Sequence, residues 1–129
     1  MKIILDSNVI VSALLSPNGL PAKILNLILS GSVTIVYDNL ILSEYINVLG
    51  REKFKIDKEL LEIVIGFIKE EGEYKIAMPQ KIKFKDEDDK IFYELFKSGD
   101  VDYLITGNKK HFPNEKGIMN PREYIEEEF

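Results

Sequence analysis

Short apolar runs along the chain alternate with longer stretches in which apolar residues recur every three or four positions. Lys2 to Leu5, with β-branched Ile3 and Ile4 and stopped by Asp6, predicts a strand buried on both faces. Asn8 to Leu15 predicts a helix, and Ser16-Pro17-Asn18-Gly19 a turn. Pro21 to Ser30 predicts a second helix with Ile24, Leu25, Ile28 and Leu29 as its stripe. Pro21 falls in its first turn, where a missing N–H is harmless, and Gly31 closes it. Val33 to Tyr37 is the next strand. Asp38 is the N-cap of a helix to about Leu49, closed by Gly50. Ile56-Asp57 opens a helix with Leu60, Leu61, Val64, Phe67 and Ile68 at helical spacing. Tyr74 to Met78 predicts a short strand ended by Pro79, and Lys81 to Lys85 an extended connection. Asp86 opens a helix to about Lys97, with Ile91, Phe92, Leu95 and Phe96 inward. Tyr103 to Thr106 is a buried strand, Gly117 to Met119 the last strand, and Pro121 to Phe129 an acidic helix or tail.

Strands alternating with helices predict an α/β fold built on a mainly parallel sheet covered on both faces. Neither a repeat nor a Pro/Gly/Ser-rich linker divides the 129 residues, so a single domain spanning 1–129 is expected. In such sheets the working site lies beyond the carboxyl ends of the strands. The residues standing there decide the chemistry.

Composition narrows the classes. The chain has no cysteine, which removes disulfide scaffolds, thiol nucleophiles and cysteine metal sites. One histidine, His111, excludes a multi-histidine metal centre. Seventeen basic residues against twenty-two acidic ones give −5, mildly against a protein that holds nucleic acid by phosphate contacts alone. Carboxylates gathered around a cation would feed the same negative sum. The apolar runs are short of the roughly 20 residues that a membrane helix needs, and Asp6 interrupts any leader-like run. A soluble cytoplasmic protein, with no membrane partner, is expected.

The acidic residues form a pattern. Asp6, followed by Ser7 and Asn8, ends the first strand; all three residue types also cap helices well. Glu44 has Leu40, Ile41, Asn47 and Val48 as its helical neighbours, so its carboxylate shares a largely apolar face. A charge there needs a partner, a cation or an outlet to water. Asp86-Glu87-Asp88-Asp89 crowds a first helical turn, where the macrodipole favours negative charge by about 0.3–1 kcal/mol per group. Asp89 begins a stripe through Phe92, Tyr93 and Phe96, and Asp88 the neighbouring stripe; spacing alone does not separate them. Thr106-Gly107-Asn108 follows the other buried strand as the counterpart of Asp6-Ser7-Asn8. If those strands are adjacent, about 4.8 Å apart, Asp6 and Asn108 can approach one ion. Oxygen-only ligands at several strand ends suit Mg²⁺ or Mn²⁺ better than zinc.

These segments resemble the PIN-domain family. Ile-Leu-Asp-Ser-Asn-Val-Ile-Val-Ser-Ala-Leu at 4–14 resembles the family's opening and Leu-Ser-Glu-Tyr at 42–45 its second acidic position. Lys-Asp-Glu-Asp-Asp-Lys-Ile-Phe at 85–92 and Asp-Tyr-Leu-Ile-Thr-Gly-Asn-Lys-Lys-His-Phe-Pro at 102–113 resemble the third and fourth. The last segment is similar to the branch that contains toxin components of toxin–antitoxin pairs. The resemblance implies a three-layer α/β/α sandwich and hydrolysis of RNA phosphodiester bonds by a metal-activated water. It places the catalytic and metal roles on Asp6, Glu44 and Asp89. Asn108 stands where most PIN domains carry aspartate; its amide oxygen can ligate but brings no charge, so one metal site is expected to survive and a second to be weak or absent. Ser7, Asn8 and Thr106 fall at supporting polar positions, with Asp86 and Asp88 as further contributors. The resemblance also implies a homodimer and a cognate antitoxin partner.

Basic groups at the rim are candidate RNA contacts: Arg51, Lys53 and Lys55, or Lys109 and Lys110. A phosphoryl-accepting receiver domain would need an acidic pair after the first strand, and a haloacid-dehalogenase-type phosphatase two aspartates one residue apart; Asp6-Ser7-Asn8 meets neither requirement. The standing alternative is a catalytically weak or inactive PIN-like domain that binds RNA or protein.

Overall fold

The computed structural model describes residues 1–129. Its centre is β1 (Lys2–Leu5), in which Ile3, Ile4 and Leu5 are all fully buried. β1 is flanked on both edges as well as covered on both faces. It pairs in parallel with β2 (Thr34–Tyr37), matching Ile3 to Ile35, and with β4 (Tyr103–Ile105), matching Leu5 to Ile105. Outside these lie two-residue strands, β3 (Glu73–Tyr74) beside β2 and β5 (Ile118–Met119) beside β4. The order β3-β2-β1-β4-β5, parallel throughout, reverses direction at β1. The crevice at the carboxyl ends of β1 and β4 is therefore the topological switch point, where ligands bind in open α/β sheets.

Six helices cover the sheet in the expected α/β/α sandwich. α1 (Ser7–Leu15) packs on α2 (Leu20–Leu29), and α2 on α6 (Pro121–Glu128). α3 (Asn39–Leu49) packs on both α4 (Lys58–Glu71) and α5 (Glu87–Lys97). α4 lies against β2, and α5 against β1 and β4. Capping follows sequence chemistry: Asp38, Asp57 and Asp86 each accept a backbone N–H in the following first turn, and Asn120 forms a capping box with Glu123. Gly31 closes α2 with φ 82°, the left-handed conformation glycine adopts without strain.

Two expectations need correction. The strand foreseen at Tyr74 to Met78 pairs only at Glu73–Tyr74. Its partner β2 ends at Tyr37, so after Lys75 N–H donates to the Tyr37 carbonyl there is no ladder left to join. The chain ties itself to α5 instead, with Met78 N–H donating to Ser98 Oγ at 2.8 Å and Gln80 N–H to Glu94 at 2.9 Å. The inward stripes also differ in detail. Leu60 is exposed while Ile65 is buried, and Tyr93 is buried more deeply than Ile91 or Phe96.

Two glycines behave oppositely. At Gly72, between α4 and β3, a Cβ would meet the Ile68 carbonyl at 2.5 Å and the Ile35 carbonyl at 3.1 Å. At Gly66, inside α4, it would meet nothing within 4 Å. Gly72→Ala is expected to destabilise by about 1–3 kcal/mol through overpacking, and Gly66→Ala to stabilise by about 0.5–1 kcal/mol through helix propensity. Urea unfolding of the two variants checks both signs.

Candidate active site

Asp6 immediately follows β1, and its backbone N–H continues the pairing by donating to the Ile105 carbonyl at 2.9 Å. It stands at the N-cap of α1, yet its side chain makes no capping hydrogen bond, unlike those of Asp38, Asp57 and Asp86. The carboxylate turns instead toward β4. Thr106 Oγ1 donates to Asp6 Oδ2 at 2.8 Å, and the same Thr106 oxygen accepts from the Asn108 backbone N–H at 3.0 Å. Asn8 Oδ1 accepts from Gly107 N–H at 3.1 Å. These bonds stitch the two strand ends together and fix the Asp6 carboxylate.

Asp6 is only 6% exposed. Burial pushes its pKa up from 3.8 to about 6; the Thr106 hydroxyl opposes the shift and the nearby Asp89 charge reinforces it. Glu44, half-buried on α3, is also raised, first by burial and then by Asp88, with Arg51 pulling the other way and Asp86 and Asp89 adding to the rise. Asp89, half-buried on α5, is raised by burial and by Asp86, against the pull of His111, whose Nδ1 lies 3.3 Å from Asp89 Oδ2. Asp86 and Asp88 are exposed, so it is Asp89, of the two neighbouring stripes, that turns toward the protein.

These carboxylates line one open hollow of about 330 Å³: Asp6 from β1, Glu44 from α3, and Asp86, Asp88 and Asp89 from the start of α5. Ser7 and Asn8 line it too, and Ser7 Oγ is buried there without a partner. None of the five carboxylates is bonded to a lysine or arginine. The donor set is oxygen throughout, mutually repelling, with an orphaned hydroxyl beside it; that chemistry fits a hard divalent cation. The side chains surround the hollow without closing on a point, since no three acidic or histidine groups stand near enough to grip an ion as they lie. A larger groove of about 660 Å³ between α3 and α4 carries no comparable oxygen cluster.

Not every expected residue comes to this hollow. Asn108 is exposed and lines an adjacent depression of about 300 Å³ with Asn8, Ser12 and Gly107; it meets Asp6 through its backbone and Thr106. Thr106 is fully buried behind Asp6. Arg51 lines the hollow itself. Lys53 lies over the Phe54 ring at 5.1 Å, and Lys55 is exposed nearby. Lys109 is held by Glu123 at 3.0 Å, so its charge is already paired, while Lys110 is exposed and unpaired.

Two contributors escape sequence reasoning. His111, at the end of the short helical turn Lys109–His111, reaches back to Asp89. Tyr45, fully buried, donates its hydroxyl to the Leu5 carbonyl and packs against Phe92 with ring centroids 6.1 Å apart. It thereby joins the three elements that carry Asp6, Glu44 and Asp89. The only signal in the sequence is its position beside Glu44, which does not distinguish it from any core tyrosine.

A parallel sheet with an oxygen-rich hollow at its switch point fits a nuclease-type α/β fold. The family comparison agrees: the PIN-domain profile matches residues 2–110, and the chain belongs to the PIN-domain family. It is also similar, at 28% identity over 145 aligned positions, to an uncharacterized protein of Methanocaldococcus jannaschii, an alignment covering 98% of this chain and 91% of that one. PIN domains are generally nucleases that hydrolyse phosphodiester bonds, and PIN nucleases are generally dependent on divalent metal.

A carboxyl with a raised pKa holds its proton more tightly folded than unfolded. Between 3.8 and about 6 the native state binds more protons at Asp6, so this group's contribution to stability falls as pH rises through that window. The unfolding free energy of Asp6→Asn relative to wild type is expected to grow by about 2–3 kcal/mol from about pH 4 to about pH 7 in metal-free buffer. Paired urea titrations across this range measure it; a flat difference overturns the assignment.

Proposed function

We propose that this single PIN domain is a Mg²⁺- or Mn²⁺-dependent endoribonuclease and the toxin component of a toxin–antitoxin pair. One observation carries the reading: buried Asp6 neither caps its helix nor pairs with a cation, and faces Glu44 and Asp89 across a hollow at the switch point. Such a group is a net cost to folding, and a metal-binding role explains its retention. Asp6, Glu44 and Asp89 would hold the ion. When bound, the ion supplies Lewis acidity to a phosphoryl oxygen and lowers the pKa of water beside it. Thr106 keeps the Asp6 carboxylate oriented through its hydroxyl, and Ser7 Oγ offers a further oxygen. Asp86 and Asp88 add negative potential that favours cation entry. Asn108, outside the hollow and uncharged, supports one strong metal site rather than two. Toxin function further entails a cytoplasmic protein, a homodimer and a co-expressed antitoxin; a short DNA-binding protein encoded immediately upstream would support it. No helix is long and apolar enough to cross a membrane.

Purified protein is expected to cleave labelled single-stranded RNA with Mn²⁺ and to stop on adding EDTA. Asp6→Ala, Glu44→Ala and Asp89→Ala are each expected to lower the rate by on the order of 10²-fold or more, since each weakens the hold on the ion that would stabilise charge at the reacting phosphate. The second reading, an inactive RNA- or protein-binding domain, is favoured by uncharged Asn108 and the −5 net charge, and predicts binding without metal-dependent cleavage. Calorimetric titration with Mn²⁺ tests the site count. Asn108→Asp is expected to strengthen a second, weak binding event, and equal binding by both proteins with no cleavage by either overturns that expectation.

A further inference from the structure

The acidic hollow does not end at Asp86 and Asp89. Both residues also form the wall of a second cleft of about 590 Å³, between the 81–85 segment and the turn at 109–113. The 81–85 segment has no regular secondary structure, yet it is firmly seated. Phe84 packs edge-on against Phe112 at 5.8 Å and at a tilt against Tyr93 at 5.4 Å, measured between ring centroids. Ile82 and Phe84 are half-buried while Lys81, Lys83 and Lys85 are exposed, the period-two alternation of an extended chain. Lys83 and Lys85 line the cleft from this side, and Lys110 faces them from the other. None of the three has an ion-pair partner, whereas Lys2, Lys75, Lys97 and Lys109 are each held by a carboxylate.

Three free cations opening directly into a pocket of five carboxylates is an unusual juxtaposition in a chain of net charge −5. A phosphate-bearing polymer approaching the carboxylates is repelled by them. A neighbouring row of unpaired lysines offsets that repulsion for the nucleotides beside the reacting one. We propose that this cleft is the track for the RNA strand on one side of the cut, with Lys83, Lys85 and Lys110 as its phosphate contacts. The inference rests on the ribonuclease reading and extends it: Lys83 and Lys85 replace Lys109, whose charge Glu123 neutralises, as the basic groups that matter.

The test is fluorescence anisotropy with a short labelled single-stranded RNA, in EDTA so that nothing is cut, over a series of KCl concentrations. The Lys83→Ala/Lys85→Ala/Lys110→Ala variant is expected to bind about tenfold or more weakly at low salt. Its log–log salt slope is expected to be shallower by about 2, at roughly 0.7 per lost phosphate contact. All three side chains are exposed, so the fold is expected to survive, and circular dichroism checks this. Lys58→Ala/Lys69→Ala, on the α3–α4 groove, is expected to leave both quantities unchanged. Unaltered affinity and slope in the triple variant, or no RNA binding by wild type, overturns the proposal. Cleavage of the same RNA with Mn²⁺ is read in parallel. Lysine-dependent binding without cleavage defeats the ribonuclease reading and leaves the lysine cleft as an RNA-binding surface only, while cleavage with lysine-independent binding upholds that reading and overturns the track.

Discussion

The pairing of β1 with β4 is the contact from which the rest of the site follows. These strands are about a hundred residues apart in sequence, and their register sets Leu5 beside Ile105. One step further, that register sets Asp6 beside Thr106, close enough for the hydroxyl to hold the carboxylate. A slip of one residue would turn Asp6 away from the crevice and a sheet residue into it. The register is protected by complete burial: Ile3, Ile4, Leu5, Leu104 and Ile105 have no solvent-facing alternative. Hydrophobic patterning thus places a polar group with sub-residue accuracy.

Around that fixed point the chain accumulates electrostatic strain. Asp6, Glu44 and Asp89 are each pushed upward in pKa, first by burial and then by a neighbouring carboxylate of the α5 N-terminal turn. Tyr45 prevents the obvious relief, which is to spread apart. Its hydroxyl is bonded to the end of β1 and its ring to Phe92 of α5, while its neighbour in sequence is Glu44. The scaffold therefore keeps like charges near each other and leaves counter-charge to come from outside the protein. His111 beside Asp89 and Arg51 near Glu44 supply only partial, exposed substitutes.

Much of this is legible in the sequence because it rests on local signals. The β-branched runs, the caps at Asp38 and Asp86 and the glycine after α2 each announce themselves within a few residues. Asp6 and Glu44 can be selected as candidates because each stands against an apolar pattern where a charge is expensive, whereas Asp89 is singled out of its acidic run by the family resemblance. What stays hidden depends on which elements meet. Whether Asp88 or Asp89 turns inward is set by the approach of α5 to the sheet. The pairing of Lys109 with Glu123 and of His111 with Asp89, and the orphaned Ser7 hydroxyl, are products of tertiary contact. The shortening of the strand after Tyr74 likewise depends on where its neighbour stops, which the strand's own residues do not encode.

Both rims of the sheet are formed by strands only two residues long. A long bare rim is a template onto which a foreign extended segment can zip. Here Ile76 and Met78, the most exposed apolar side chains past β3, lie beyond the laddered stretch, and the Met78 amide is already engaged by Ser98. A stray strand would find too few free rungs to hold. The brevity of its outer strands thus guards this parallel core against the fibril-forming associations to which its Ile- and Val-rich segments would otherwise be prone.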